Sequence, residues 1–247
     1  MYNPYTLLGK NILITGASSG IGKCTAIECS KMGANVIITG RNKERLDEVY
    51  NKLEGEGHSI VSLDLSTEDA IRELVEMAPQ LDGIFFCAGV TDTTLTKFIE
   101  KEKIDRVFEI NLISPMLLTK WLIKRKKINK YASLVYMSSM GTEVVTSGLG
   151  IYAASKSGLN SFMRSVANEL ASRKIRANSI MASMIKSELI TTLTSLSAED
   201  LAKDESRYPL GYGNPIDVAL AAVFLLSDAS KWITGSSLKM DGGSTLG

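Results

Sequence analysis

The stretch NILITGASSGIGKCTAIECS, Asn11 to Ser30, decides the fold. Its first five residues are an apolar, β-branched run of buried-strand length, and the residues after Gly22 suit a helix. Gly16, Gly20 and Gly22 stand between the two. Glycines at such a turn let the backbone reverse sharply and approach a pyrophosphate, whose charge the free amides and positive end of the following helix favour. Three glycines alone make only a tight turn. Context adds the weight, because this turn follows the first strand, opens a helix and begins a strand–helix–strand unit.

Working outward, similar apolar runs recur at NVIIT (35 to 39), SIVSL (59 to 63), GIFF (83 to 86), SLVYM (133 to 137) and RANSI (176 to 180), with a last short one in GSSLKMDGG. Segments of helical period lie between them, for example KERLDEVYNKL and STEDAIRELVEMA, the latter opening on Ser66 as cap with Asp69 in its first turn. NPIDVALAAVFLLS reads as an apolar helix with Pro215 at its start. Strands alternating with helices imply a parallel sheet covered on both faces. The expectation is α/β: one Rossmann domain over 1–247, a doubly wound seven-stranded sheet. Only 187–213, polar, rich in Ser and Thr and ending in Pro and Gly, breaks the rhythm, and it reads as an insert of short helices forming a lid over a site.

Composition excludes several functions. With 45% hydrophobic residues and a formal net charge of +1, the bulk balance gives no reason to invoke nucleic acid or an anionic membrane surface. No apolar run approaches the ~20 residues that cross a bilayer, and the first ten lack a signal-peptide core, so a cytoplasmic protein is expected. Cys24, Cys29 and Cys87 form no CxxC pair, which fits a reducing compartment. His58 is the one histidine and lies in the polar stretch EGEGHS, where it reads as a solvated loop residue. No metal centre or histidine triad is expected.

Tyr152 and Lys156 in YAASK are four apart, so both side chains leave one helix face. Alone the pair is a common helical coincidence. Ser139 follows the fifth strand, where strand ends of a parallel sheet meet a ligand crevice. A phenol with an ammonium beside it, and a hydroxyl nearby, suits protonation of the alkoxide left when a ketone is reduced.

The spacing GxxxGxG after Thr15, with Asp64–Leu65, Ala88–Gly89, Asn111 in FEINLISP, Ser139 in YMSSMG, YAASK and ITGSSLKMDGG, resembles the short-chain dehydrogenase/reductase family over nearly the whole chain. The resemblance implies that Ser139 rather than Ser138 is catalytic, by its spacing of thirteen residues to Tyr152. It also implies that Tyr152 is the acid and that Lys156 lowers its pKa and binds the nicotinamide ribose, while Asn111 holds a relay water. By the same resemblance Gly16, Ser18, Ser19, Gly20, Ile21 and Gly22 cradle the dinucleotide, with Asp64, Leu65, Ala88, Gly89, Ile185 and Ser187 completing its contacts. The second strand ends in Gly40 and Arg41 where an acid would select NADH, so a guanidinium able to pair a 2′-phosphate points to NADPH.

Two turns depart from the family pattern. Phe86–Gly89 reads FCAG where NNAG is usual, and Ala182–Ser183 stands where Pro–Gly is usual. Within the family the pattern is most similar to bacterial 3-oxoacyl-(acyl-carrier-protein) reductases. That implies a homotetramer, built through helices around 104–128 and 150–172 and the last strand, and an acidic carrier docking on Lys124, Arg125, Lys126 and Arg173. The alternatives are a reductase of a free ketone such as a sugar, or a catalytically weakened NADPH-binding scaffold.

Overall fold

The computed structural model describes residues 2–144, 146–187 and 198–246. Seven parallel strands form one sheet in the order β3-β2-β1-β4-β5-β6-β7. They are β1 Asn11–Thr15, β2 Asn35–Gly40, β3 Ser59–Ser62, β4 Leu81–Phe86, β5 Ile128–Ser139, β6 Arg176–Ala182 and β7 Ser237–Met240. The chain winds one way from β1 to β3 and the other way from β4 to β7, so a crevice opens between β1 and β4 at their carboxyl ends.

The helices are α1 Gly20–Lys31, α2 Lys43–Tyr50, α3 Glu68–Met77, α4 Lys101–Phe108, α5 Ser114–Lys124, α6 Gly150–Leu170, α7 Ala198–Glu205 and α8 Pro215–Leu226. Their sides of the sheet follow from strand alternation. Leu13 enters one core with Leu74 of α3, Leu118 of α5 and Leu159 of α6. Its neighbours Ile12 and Ile14 enter the other, with Ala26 of α1, Leu46 of α2 and Val218 of α8. Successive residues of a strand face opposite ways, so the middle of β1, Ile12 to Ile14, buried on both faces, must be apolar at every position. Truncating Ile14 to Ala would cost about 2–5 kcal/mol, since close packing leaves the cavity unfilled.

The structure corrects several local readings. The cap of α3 is Thr67, whose hydroxyl accepts from Ala70 N at 3.3 Å, one residue after Ser66. The long helix expected at 104–128 runs as α4, a π-helical segment Glu109–Ile113, and α5. Its expected last residue instead starts β5, which is far longer than the apolar run that signals it. His58 lies in the loop before β3 but is half-buried and anchored rather than solvated: Nδ1 accepts from Val36 N at 3.1 Å and Nε2 lies 3.0 Å from Glu54 O, so the ring bridges β2 to that loop. Within the insert, α7 is the described helix; Leu189, Leu193 and Leu196 lie outside the described residues. Among the described residues no helix is long and apolar enough to cross a membrane.

Candidate active site

The glycine turn has the geometry its spacing requires. Gly16 has φ +66°, and a Cβ there would sit 2.8 Å from the Ala88 backbone; at Gly22 a Cβ would collide with the Gly16 carbonyl. Only glycine lets β1, α1 and the end of β4 approach this closely. Thr15 Oγ1 ties the two strand ends together, accepting from Cys87 N at 3.0 Å and Ala88 N at 3.1 Å. Ser19 before α1 makes no capping bond and the first turn of α1 has no acidic residue. The helix amides and positive dipole end are therefore left for an external anion.

A cavity of about 630 Å³ follows the carboxyl ends of the strands. On the β2 and β3 side its wall holds Ser18, Arg41, Asp64 and Leu65; at the centre it holds Gly16, Ser19, Gly20, Ile21, Gly22, Ala88 and Gly89. On the β5 and β6 side are Ser139, Tyr152, Lys156, Ile185 and Ser187. Residues separated by more than a hundred positions thus share one wall, because parallel strands deliver all their ends to one edge. A dinucleotide fits this arrangement: a turn whose close backbone approaches exclude a Cβ at Gly16 and Gly22, free helix amides, and a cation at the end where a ribose phosphate would lie.

Asn111 stands behind that wall, fully buried. Its Oδ1 accepts from Val90 N at 2.8 Å, and its Nδ2 donates to Val90 O at 2.9 Å and to Ser155 Oγ at 3.1 Å. Ser155 in turn donates to Tyr152 O at 2.7 Å. The π-helical segment carrying Asn111 brings it against α6 and the irregular segment following β4, and its side chain holds them together.

Tyr152 and Lys156 do leave one face of α6, with Nζ 5.9 Å from the centre of the phenol ring. Their electrostatics differ from the expectation. Burial raises the Tyr152 pKa above its usual range, and the opposing influence is a hydrogen bond from Ser139, not the lysine. Lys156 is 4% exposed, donates to Met137 O at 2.8 Å, and is itself pushed down to about 8 by burial. In a dry site the desolvation of each charge outweighs what one ammonium can lend the phenol. Ser139 Oγ accepts from Gly141 N at 3.0 Å, which leaves its proton free for Tyr152 or a ligand oxygen.

Both altered turns are compensated by tertiary contacts. Phe86 stacks on Tyr136 with centroids 4.4 Å apart and planes 2° from parallel, so ring packing stands where an amide is usual. Burial raises the Cys87 thiol to about 12, which makes it an inert small side chain. Ser183 and Tyr208 place their hydroxyls 3.0 Å apart, tying the turn after β6 to the segment after α7. Tyr208, with Asp204 and Arg207, lines the cavity, within the segment expected as a lid but at positions the sequence does not single out. Its signal was faint: a tyrosine inside a polar stretch.

The basic segment lies elsewhere. The Lys127 carbonyl accepts from Leu81 N at 2.8 Å, where β4 begins, and Arg173 donates to Ile128 O at 2.6 Å at the start of β5. Arg125 pairs with Glu76 at 2.8 Å. The opposite end of β4, at Phe86, lines the cavity, roughly 17 Å away along the strand alone. Lys124, Arg125, Lys126 and Arg173 therefore adjoin the amino edge of the sheet, not the mouth of this chain's cavity, because helices run antiparallel to the strands they cover.

An open parallel sheet with a glycine cradle, a switch-point cavity and a hydroxyl–phenol–ammonium cluster defines a nucleotide-dependent oxidoreductase. The profile of the family described as enoyl-(acyl carrier protein) reductase matches residues 16–245. A 3-oxoacyl-(acyl-carrier-protein) reductase of Rickettsia felis is 36% identical over 238 residues, covering 96% of this chain and 97% of that protein. A crystal structure from Sinorhizobium meliloti, assigned provisionally to a short-chain alcohol dehydrogenase, superposes with TM-score 0.90 at 26% identity over 99% of both chains. Another from Agrobacterium tumefaciens, assigned provisionally to 2-deoxy-D-gluconate 3-dehydrogenase and carrying NADP, gives 0.88 at 26% over 100% of both. The chain belongs to the short-chain dehydrogenase/reductase family of oxidoreductases.

Proposed function

We propose that the protein uses NADPH to reduce the ketone of a 3-oxoacyl chain attached to an acyl carrier protein. The observation that carries this reading is the shared cavity, in which the glycine cradle and the cluster of Ser139, Tyr152 and Lys156 face one space. When bound, the dinucleotide supplies a hydride. Gly16 to Gly22 hold its pyrophosphate, Arg41 pairs with the 2′-phosphate, and Ile185 and Ser187 border its nicotinamide end. Ser139 donates to the substrate oxygen, Tyr152 gives that oxygen its proton, and Lys156 with Asn111 maintains the route by which the phenol is reprotonated.

The matching family profile is named for reduction of a carbon–carbon double bond, whereas the Rickettsia relative acts on a ketone. Two hydroxyls converging at the Ser139–Tyr152 hydrogen bond suit a carbonyl oxygen, and this favours the ketone. The NADP-bound neighbour supports the choice of cofactor. Exposed Ile216 and Leu220 on α8 and Leu238 on β7 support a homotetramer joined through this edge. A polar rim of Asp204, Arg207 and Tyr208 favours a second reading, reduction of a free polar ketone such as a sugar.

NADPH consumption with acetoacetyl-carrier protein, measured beside a panel of free ketones and with NADH as control, tests the proposal. Turnover of the carrier-bound substrate with NADPH is expected. Faster reduction of a free ketone would replace the substrate, and tight NADPH binding without turnover of any ketone would overturn the enzymatic reading.

A further inference from the structure

We propose that Arg207 recognises an anionic group, phosphate or carboxylate, on a part of the substrate remote from the reacting ketone. The inference rests on the reading of the cavity as a ketone-reducing site and adds the chemistry of its outer end.

Among the described residues three cations line the cavity: Arg41, Lys156 and Arg207. Arg41 belongs to the nucleotide end and Lys156 to the reaction centre. Arg207 is left over, on the substrate side, in the segment after α7. It stands where the main cavity meets a second depression of about 450 Å³, sharing that junction with Ser244. A ligand that reaches from the main cavity into this depression meets Arg207 in the lining of both.

The side chain is held but not used up. Its Nη1 lies 3.2 Å from Asp204 Oδ1, while Asp204 Oδ2 accepts from the Tyr212 hydroxyl at 2.6 Å. Tyr212 also donates its backbone N–H to Glu205 at 3.1 Å, and Glu205 pairs with Lys186 at 2.7 Å. This chain of contacts fixes the carboxylate that orients the guanidinium. A guanidinium has five N–H donors, so one carboxylate contact leaves an edge able to take two oxygens side by side. Asp204 consequently acts as the brace, and the open edge with the Ser244 hydroxyl is suited to an oxyanion. Val144, Leu149 and Met184 give this wall apolar surface, beside the uncharged hydroxyls of Thr146, Ser183 and Tyr208, and so suit an uncharged length between ketone and anion.

Two sources present such a group: the phosphodiester of a carrier-bound pantetheine arm, and the carboxylate of a free keto acid. Matched pairs distinguish them. One pair is 3-oxobutyryl-pantetheine and its 4′-phosphate; the other is a long-chain oxo acid and its methyl ester. Arg207→Gln should raise KM for a charged member by at least ~10-fold, the scale of a lost charge-assisted hydrogen bond, and leave kcat and the neutral member within about twofold. Arg207→Lys should recover part of the loss, because it restores charge without the fork. An effect confined to the phosphate pair assigns the carrier arm, and one confined to the carboxylate pair assigns a free keto acid. Equal effects on charged and neutral members, or none on either, would overturn the inference.

A binding measurement separates it from the proposed reaction. With NADPH present, calorimetric Kd values for 4′-phosphopantetheine, pantetheine and the hydroxy acid corresponding to the oxo acid need no turnover. If no ketone is reduced yet Arg207→Gln selectively weakens a charged ligand, the reaction assigned above fails and the anion site stands. Charge-independent binding in both proteins sinks the anion site whatever the enzyme reduces.

Discussion

The hydroxyls of Ser183 and Tyr208 lie 3.0 Å apart across twenty-five residues of chain. They join the turn after β6 to the segment that covers the cavity, at the place where a Pro–Gly turn would otherwise stiffen the backbone by itself. Tyr208 is further braced edge-on against Tyr212, with centroids 5.0 Å apart. A local device has been exchanged for a long-range one. In a double-mutant cycle, Ser183→Ala and Tyr208→Phe should show a coupling of about 1 kcal/mol in unfolding free energy, as one partly buried hydrogen bond would give. Additive effects would mean that the two hydroxyls are neighbours without being partners.

Removing the Tyr152 hydroxyl removes the proposed acid and leaves the ring. Tyr152→Phe should lower kcat at least ~10²-fold, the lower end of general acid catalysis, with the NADPH Kd unchanged. Near-native turnover in stopped-flow reduction would move the acid to another group.

Cofactor choice is assigned to Arg41, on the rim beside Gly40, where a Cβ would already lie 3.4 Å from Ser18 Oγ. Arg41→Asp should reverse the ratio of kcat/KM for NADPH over NADH, since a carboxylate repels the 2′-phosphate and accepts from the ribose hydroxyls. An unchanged ratio would show that the guanidinium does not touch the phosphate.

Lys156 makes the ligand-free fold less stable. Burial lowers its pKa from 10.5 to about 8, so between these values the unfolded chain holds a proton that the folded chain has released. Stability therefore rises with pH through that window, and below about 8 the folded state carries the whole penalty, on the order of 3 kcal/mol. Lys156→Met should be inactive, and its unfolding free energy relative to the parent should be most favourable at pH 7 and decline toward pH 10.5. A difference that stays constant over this range would show that the lysine is charged at no cost.

How far the site could be read in advance follows the same division. Tyr152 and Lys156 were legible as a pair because helical spacing is a local rule, and the glycine turn because no other residue survives its contacts. The segment 187–213 was legible as a lid, but not that Asp204, Arg207 and Tyr208 are residues of it that face the cavity, since no periodicity marks which side chains of a polar segment turn inward. His58 misled for a related reason: its two partners, Val36 N and Glu54 O, are backbone groups that no side-chain pattern announces.

By itself the sequence determined the sheet, its winding and the cradle. Strand and helix periods, and the need for glycine at a close approach, depend on a few neighbouring residues. Only the tertiary structure decided which charges are desolvated, and so that burial, not an adjacent ammonium, governs Tyr152 in the ligand-free protein. It also put the Lys124–Lys126 cations and Arg173 at the far edge of the sheet and Arg207 at the cavity, because helix direction and chain return determine which side chains meet.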